Sequence, residues 1–259
     1  MLIAITRAIS RSIADCELTH IQRIPIDIDV ARVQHRQYEQ ALEELDCRVI
    51  QLPEEPDLPD SVFVEDAAIV LEECAIITRP GAASRRLETE SITHALASYR
   101  KLFTIQPPGT VDGGDVLTVG KDIWVGCTAR SNQTAIDQMQ AFLAPFGYTV
   151  RGVPVSGCLH LKSAVTQAAE KTLLINPAWV EKSAFPGMDF IEIDPSEPYA
   201  ANVLRIGEAT IYPTAYPKTL RRLEAAGIQP RLVDASELAK AEGALTCCSL
   251  IFEEKNRDL

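Results

Sequence analysis

The chain has 259 residues, 46% hydrophobic and 24% charged, an ordinary composition for a globular protein, and the length leaves one large domain or two smaller ones open. Its 25 basic and 36 acidic residues give a net charge of −11. That balance argues against a nucleic-acid partner, whose binding starts from basic patches over phosphates, and it suits a small cationic substrate.

Met1-Leu-Ile-Ala-Ile-Thr-Arg7 is apolar for only a few residues before Arg7 and Arg11 interrupt it, and no later apolar run approaches 18 residues. Neither a signal peptide nor a membrane partner is expected. The seven cysteines are odd in number and scattered without a CxxC pair, so neither a disulfide framework nor a zinc site is expected, and reduced thiols in the cytoplasm are the default. Arg7 to Ile28 shows little periodicity and reads as a long loop of the kind that often forms a lid. A helix is predicted over Val30 to Leu45, followed by a strand at Arg48-Val-Ile-Gln-Leu52.

From there one unit recurs. Apolar hairpins are predicted from Val64, with a turn at Glu72-Glu73; from Val111, turning at Gly120-Lys121; from Leu159; and from Ala200, turning at Gly207-Glu208. Helical spacing follows most of them: Ile92, Leu96, Tyr99 and Leu102; Ile136, Met139 and Leu143; Leu220 and Leu223. The third copy has only a weak helix, around Trp179 to Ser183. Each unit ends in a short strand, at Phe103-Thr-Ile-Gln-Pro107, Thr149-Val-Arg-Gly-Val153, Phe190-Ile-Glu-Ile-Asp194 and Arg231-Leu-Val-Asp234.

The two chain ends supply a fifth copy, Cys247-Cys-Ser-Leu-Ile-Phe-Glu-Glu254 reading as a first strand and Leu2-Ile-Ala-Ile-Thr6 as a second. Pairing of the terminal strands would close a ring of five ββαβ modules, a pseudo-symmetric α/β propeller forming a single domain over 1–259, and closure removes exposed edges. A closed ring needs no partner for its edges, so monomer and homodimer both remain open.

Equivalent positions at the start of each first strand should face the ring axis. They are Glu65/Asp66, Asp112, His160, Asn202 and Cys247. A cysteine is a strong nucleophile as a thiolate, a histidine shuttles protons near neutrality, and a carboxylate can orient the imidazole. The surplus carboxylates discriminate further, because they ask for positive charge. A planar guanidinium meets carboxylates in bidentate pairs and places an electrophilic carbon within reach of sulfur.

Five segments carry a family resemblance: Pro59-Asp-Ser-Val-Phe-Val-Glu-Asp66, Ile77-Thr-Arg-Pro-Gly-Ala-Ala-Ser-Arg-Arg86, Gly109-Thr-Val-Asp-Gly-Gly-Asp115, Leu159-His-Leu-Lys162 and Thr246-Cys-Cys-Ser249. In order and spacing, nearly end to end, they resemble the dimethylarginine dimethylaminohydrolases of the guanidine-modifying (pentein) superfamily. The resemblance implies a five-bladed α/β propeller that hydrolyses Nω-methylated arginines to citrulline without metal or organic cofactor.

Position by position, it implies Cys247 as nucleophile, His160 as general acid/base and Asp112 as its acidic partner; the residues alone leave Asp115 a competitor for that role, since Gly113 and Gly114 allow several backbone paths. Glu65 and Asp66 would clamp the guanidinium, Asp60 would contact the amino end, and Arg85 and Arg130 would fix the α-carboxylate. Leu18 would belong to the lid, and Ala241 and Glu242 to the wall before the nucleophile. Phe63 is a candidate substrate contact, although an aromatic between Val62 and Val64 equally fits the core. His20, His35 and His94 are expected at the surface.

One departure is visible. The family carries Asp-Gly where this chain has Glu242-Gly243, and the extra methylene would narrow the pocket near the dimethylamino or amino end. Arginine deiminase, agmatine deiminase and amidinotransferase chemistry remain alternatives within enzymes, and a non-catalytic amino-acid-binding propeller outside them.

Overall fold

Short apolar strands and turn-forming residues divide the chain into repeated units, and the computed structural model, which describes residues 1–254, arranges them as five three-stranded sheets. The chain enters through β1 (Leu2–Arg7), runs through an irregular segment into α1 (Ile28–Glu43), and returns as β2 (Cys47–Leu52). Four like units follow: β3 (Ala68–Val70), β4 (Cys74–Ile77), α2 (Glu88–Leu96) and β5 (Lys101–Thr104); β6 (Val116–Val119), β7 (Asp122–Cys127), α3 (Gln133–Leu143) and β8 (Thr149–Pro154); then α4 (Leu161–Ala164), β9 (Val165–Ala169), β10 (Thr172–Ile175) and β11 (Asp189–Glu192); and β12 (Leu204–Ile206), β13 (Ala209–Pro213), α5 (Pro217–Ala225) and β14 (Arg231–Val233). A one-turn helix α6 (Ser236–Ala239) leads to the last strand, β15 (Leu250–Glu253).

In every sheet the central strand pairs antiparallel with one neighbour and parallel with the other. The terminal strands pair as expected: Leu2 lies opposite Glu253 and Ile5 opposite Leu250, so β15-β1-β2 is a blade like the rest. The first strands of the five blades surround a common axis. A cavity of about 260 Å³ there is lined from all five, by Ile69, Val116, Thr166, Leu204 and Leu250 among others. The architecture is a five-bladed α/β propeller.

Local chemistry explains the helix ends. Asp27 caps α1 by accepting the amides of Asp29 and Val30, Asn132 caps α3 by accepting that of Ala135, and Pro217 opens α5 where a missing N–H costs nothing. The buried faces Ala31-Tyr38-Ala41-Leu42 and Ile136-Met139-Leu143 keep helical period against their sheets. No helix among the described residues is long and apolar enough to cross a membrane.

Three expectations are corrected. α2 stops at Leu96, and Leu102 lies in β5 opposite Ala75, so its helical spacing is coincidental. In the third blade only the single turn Lys182–Ala184 stands where a weak helix was expected. His35 is buried on the inner face of α1, its Nε2 3.4 Å from Glu39 Oε1, while His20 and His94 are exposed.

Candidate active site

Each first strand is preceded by a feature the apolar pattern does not announce. Val64–Ala67, Gly113–Asp115, Leu161–Ala164 and Thr246–Cys248 each form one helical turn, and 200–201 turn likewise. The residues expected at the strand starts therefore sit in or just before these turns, at one end of the axis. Glu65 and Asp66 lie within theirs, Asp112 and His160 are the extended residues that enter theirs, and Cys247 is the middle of the last.

Cys247 and His160 line one small cavity, together with Asp60, Phe63, Arg85 and Arg130. Its volume is about 10 Å³, space for roughly one water. Glu17, Leu159, Ala241, Glu242 and Gly243 complete its wall. Beneath it, His160 Nε2 is 3.1 Å from Asp112 Oδ2, and Asp112 is fixed in turn: Oδ1 accepts the Gly81 amide at 2.8 Å, and its own amide donates to Ser131 Oγ. The other edge of the imidazole rests on Gly114, where a Cβ would stand 2.6 Å from His160 Nδ1. The Gly114 amide donates to Asp66 Oδ1 at 2.8 Å.

This packing governs protonation. Burial alone would lower the His160 pKa, but Asp66, Asp112 and Asp115 outweigh it and push it up to about 9, so the ring is an imidazolium at neutral pH. Burial, then the carboxylates Glu65 and Asp66, push the Cys247 thiol up to about 12. The resting sulfur is protonated, and a cation placed beside it would favour the thiolate. Burial would also raise Asp66, yet His160 and Arg85 hold it down at about 2, ionised throughout.

Asp115 does not compete for the imidazole. Its Oδ2 accepts Thr128 and Ser131 hydroxyls at 2.6 Å each, and its Oδ1 accepts the Leu161 amide at 2.9 Å. It pins the turn that follows His160, and the contact with the ring belongs to Asp112.

The remaining expected residues fall into two groups. Arg130 presents a buried Nη1 without a hydrogen-bond partner, 3.7 Å from Asp112 Oδ2, a donor open to an anion at the cavity. Arg85 reaches the cavity, but its donors already serve Asp66 Oδ2 at 2.6 Å, both Glu88 oxygens and the Asp60 carbonyl. Asp60 Oδ2 accepts the Glu17 amide at 3.0 Å. Glu65 and Asp66 lie outside the cavity wall. Glu65 joins the ammonium of Lys162 and accepts the Thr246 hydroxyl, facing the axial cavity. Leu18 packs against the apolar cluster that holds Phe63, Ala241 and Leu245, and the residue of its segment that lines the cavity is its neighbour Glu17. Phe63 is both core and wall.

Lys162 and Glu88 were missed as supporting partners. Glu88 was legible as the i,i+3 neighbour of Arg85; the Lys162–Glu65 pair spans 97 residues of sequence and was not. Asp66, Asp112 and His160 are close enough together to be considered for a metal. Each carboxylate oxygen already accepts one hydrogen bond, Asp66 from Arg85 and Gly114 and Asp112 from Gly81 and His160, while the imidazole retains its proton. That donor set does not fit a resident metal.

No family model matches the chain. It is 38% identical over 250 residues to the N(G),N(G)-dimethylarginine dimethylaminohydrolase of Pseudomonas aeruginosa, covering 96% of this chain and 98% of that one. To the protein of the same name from Streptomyces coelicolor it is 39% identical over 253 residues, covering 97% of each. Among solved structures, a Cys-to-Ser variant of the Pseudomonas aeruginosa protein complexed with citrulline superimposes with a TM-score of 0.91 at 38% identity, over 96% of this chain and 98% of that one. The N-terminal domain of a cyanobacterial arginine dihydrolase shares the fold, at TM-score 0.86 and 18% identity over 98% and 99%. The chain belongs to the dimethylarginine dimethylaminohydrolase family.

Proposed function

We propose that this chain hydrolyses Nω-methylated arginines to citrulline and the corresponding methylamine, through a covalent thiouronium on Cys247, with all five blades acting as one domain. The observation that carries the reading is the convergence of Cys247 and an Asp112-bound His160 on one cavity that Arg130 enters with an open donor.

The substrate's α-carboxylate accepts from Arg130, and its amino end meets Asp60. Its guanidinium settles above the anionic floor of Glu65 and Asp66. Burial, and then those carboxylates, hold the thiol protonated in the free protein, and the arriving cation offsets the carboxylates' share of that suppression. The thiol proton leaves to solvent as the S–C bond forms. The His160 imidazolium gives its proton to the departing amine as the C–N bond breaks. Neutral His160 then takes a proton from the water that attacks the thiouronium carbon. As the C–S bond breaks, the oxygen becomes the ureido carbonyl of citrulline, and the remaining proton restores the thiol. Placement of reacting groups and fixed charges supplies the acceleration.

A colorimetric assay for the ureido product across asymmetric dimethylarginine, monomethylarginine, arginine and agmatine tests the reading. Turnover of the two methylated substrates is expected, with none for agmatine, which has no carboxylate for Arg130. Turnover of arginine alone would make the chain a deiminase, and turnover of none would leave a binding protein.

A further inference from the structure

The cavity at Cys247 has space for about one water, so an amino acid reaches it only if part of the wall moves. The segment around Glu17 is built for that. Ile9, Ile13 and Cys16 anchor its start in the core, and the Asp27 amide on Glu237 Oε2 secures its far end. Between them, all of residues 17–24 are exposed except Leu18 and Ile21, which are half-buried. Apolar packing therefore contributes little over this stretch, and polar ties hold it down. Two of these come from one side chain: Glu242 accepts the Thr19 amide on Oε2 at 2.5 Å and the His20 amide on Oε1 at 2.7 Å.

The backbone beneath Glu242 is itself unusual. Its amide donates to the Ala239 carbonyl and that of Gly243 to Leu238, the hydrogen bonds that terminate α6, and its φ is +56°. Helices normally place glycine at such a left-handed stop, and a residue with a Cβ is disfavoured there. Gly243 beside it packs so closely on Phe63 that a Cβ there would stand 2.2 Å from the ring. A local rule is broken where the side chain gains two contacts with the exposed segment beside the cavity.

We propose that Glu242 is a positioning residue, a latch whose carboxylate closes segment 17–20 over the catalytic cavity and governs substrate entry and product release. Only the kinetic part of the test rests on the function proposed above.

Hydrogen exchange of the free protein reads the latch directly. Glu242→Ala should speed exchange of the Thr19 and His20 amides about tenfold or more, and Glu242→Gln, whose single amide oxygen keeps one acceptor, by less. Amides of β4 and β7 should hold their parental rates. Glu242→Gly removes the disfavoured φ, so it should open the segment while its Tm stays equal or rises; a purely structural role for Glu242 predicts a lower Tm. In turnover, Glu242→Ala should raise KM for dimethylarginine about tenfold and change kcat less than about threefold. Unchanged exchange at Thr19 and His20 in Glu242→Ala, exchange that accelerates only together with the sheets, or an unchanged KM each overturns the latch. Absence of turnover in the parent overturns the proposed function instead and leaves the exchange result standing.

Discussion

Gly114→Ala perturbs the site through geometry alone. The new Cβ would stand 2.6 Å from His160 Nδ1 and 2.9 Å from Asp66 Oδ1, against ordinary contact of 3.4–4 Å. The backbone amide that donates to Asp66 is kept, and the position needs no left-handed φ, so the fold has no reason to fail. Something must retreat by the better part of an ångström. Asp66 is held by the Arg85 ion pair, whereas His160 is held on its other edge by the single bond to Asp112, so the ring yields. A displacement near 1 Å in a catalytic group costs on the order of 10²-fold, about 2.7 kcal/mol of transition-state stabilisation. Steady-state citrulline formation gives the number, and a thermal melt beside it separates misplacement from unfolding. A Gly114→Ala protein that melts like the parent and retains more than about a third of its kcat/KM refutes this account of how the imidazole is held.

Two further outcomes follow from the buried charges. Because the folded pKa of His160 is raised from 6.5 to about 9, the stability it contributes is fully present below pH 6.5 and is lost as pH rises through about 9. The unfolding free energy of the parent relative to His160→Asn, from urea titrations, should shrink across that window by something of order 3 kcal/mol; a difference that stays flat from pH 6 to 10 contradicts the charge assignment. Lys162→Met leaves Glu65 buried without its ion-pair partner and should destabilise by about 3 kcal/mol. Adding Glu65→Gln should restore most of that loss in the same denaturation assay, and a double variant no better than Lys162→Met speaks against the pair.

Much of this was legible in the sequence because short apolar runs and helical spacing seldom collide. Apolar runs interrupted by Gly120-Lys121 and Gly207-Glu208 marked the hairpins, and Ile136, Met139 and Leu143 marked a helix face. The fragments at the two ends disclosed the closing blade, since neither finds its sheet partners locally. What escaped was short or non-local. A single helical turn such as Val64–Ala67 is too brief to show a period, so the site residues were placed at strand starts instead of on the turns before them. Leu102 matched the helical spacing by chance, past a helix that had ended at Leu96. His35 sits in polar text, yet the fold turns its face of α1 inward, where neighbouring Gln34 bonds Asp234 and Ser236 from about 200 residues away. The motif segments located Arg85, but only the fold brings it onto Asp66 and Glu88, leaving Arg130 with the open donor.

The central claim is that the half-buried sulfur of Cys247, rather than any of the six other cysteines, attacks the guanidinium carbon. Intact-mass and peptide mass spectrometry of the His160→Gly protein, mixed with S-methyl-L-thiocitrulline and quenched in acid, tests it directly. Loss of methanethiol should leave the thiouronium mass on the peptide containing Cys247, and the same protein carrying Cys247→Ser should show none. An adduct on Cys16, Cys127 or Cys248, or a Cys247→Ser protein that forms citrulline at the parental rate, would contradict the account.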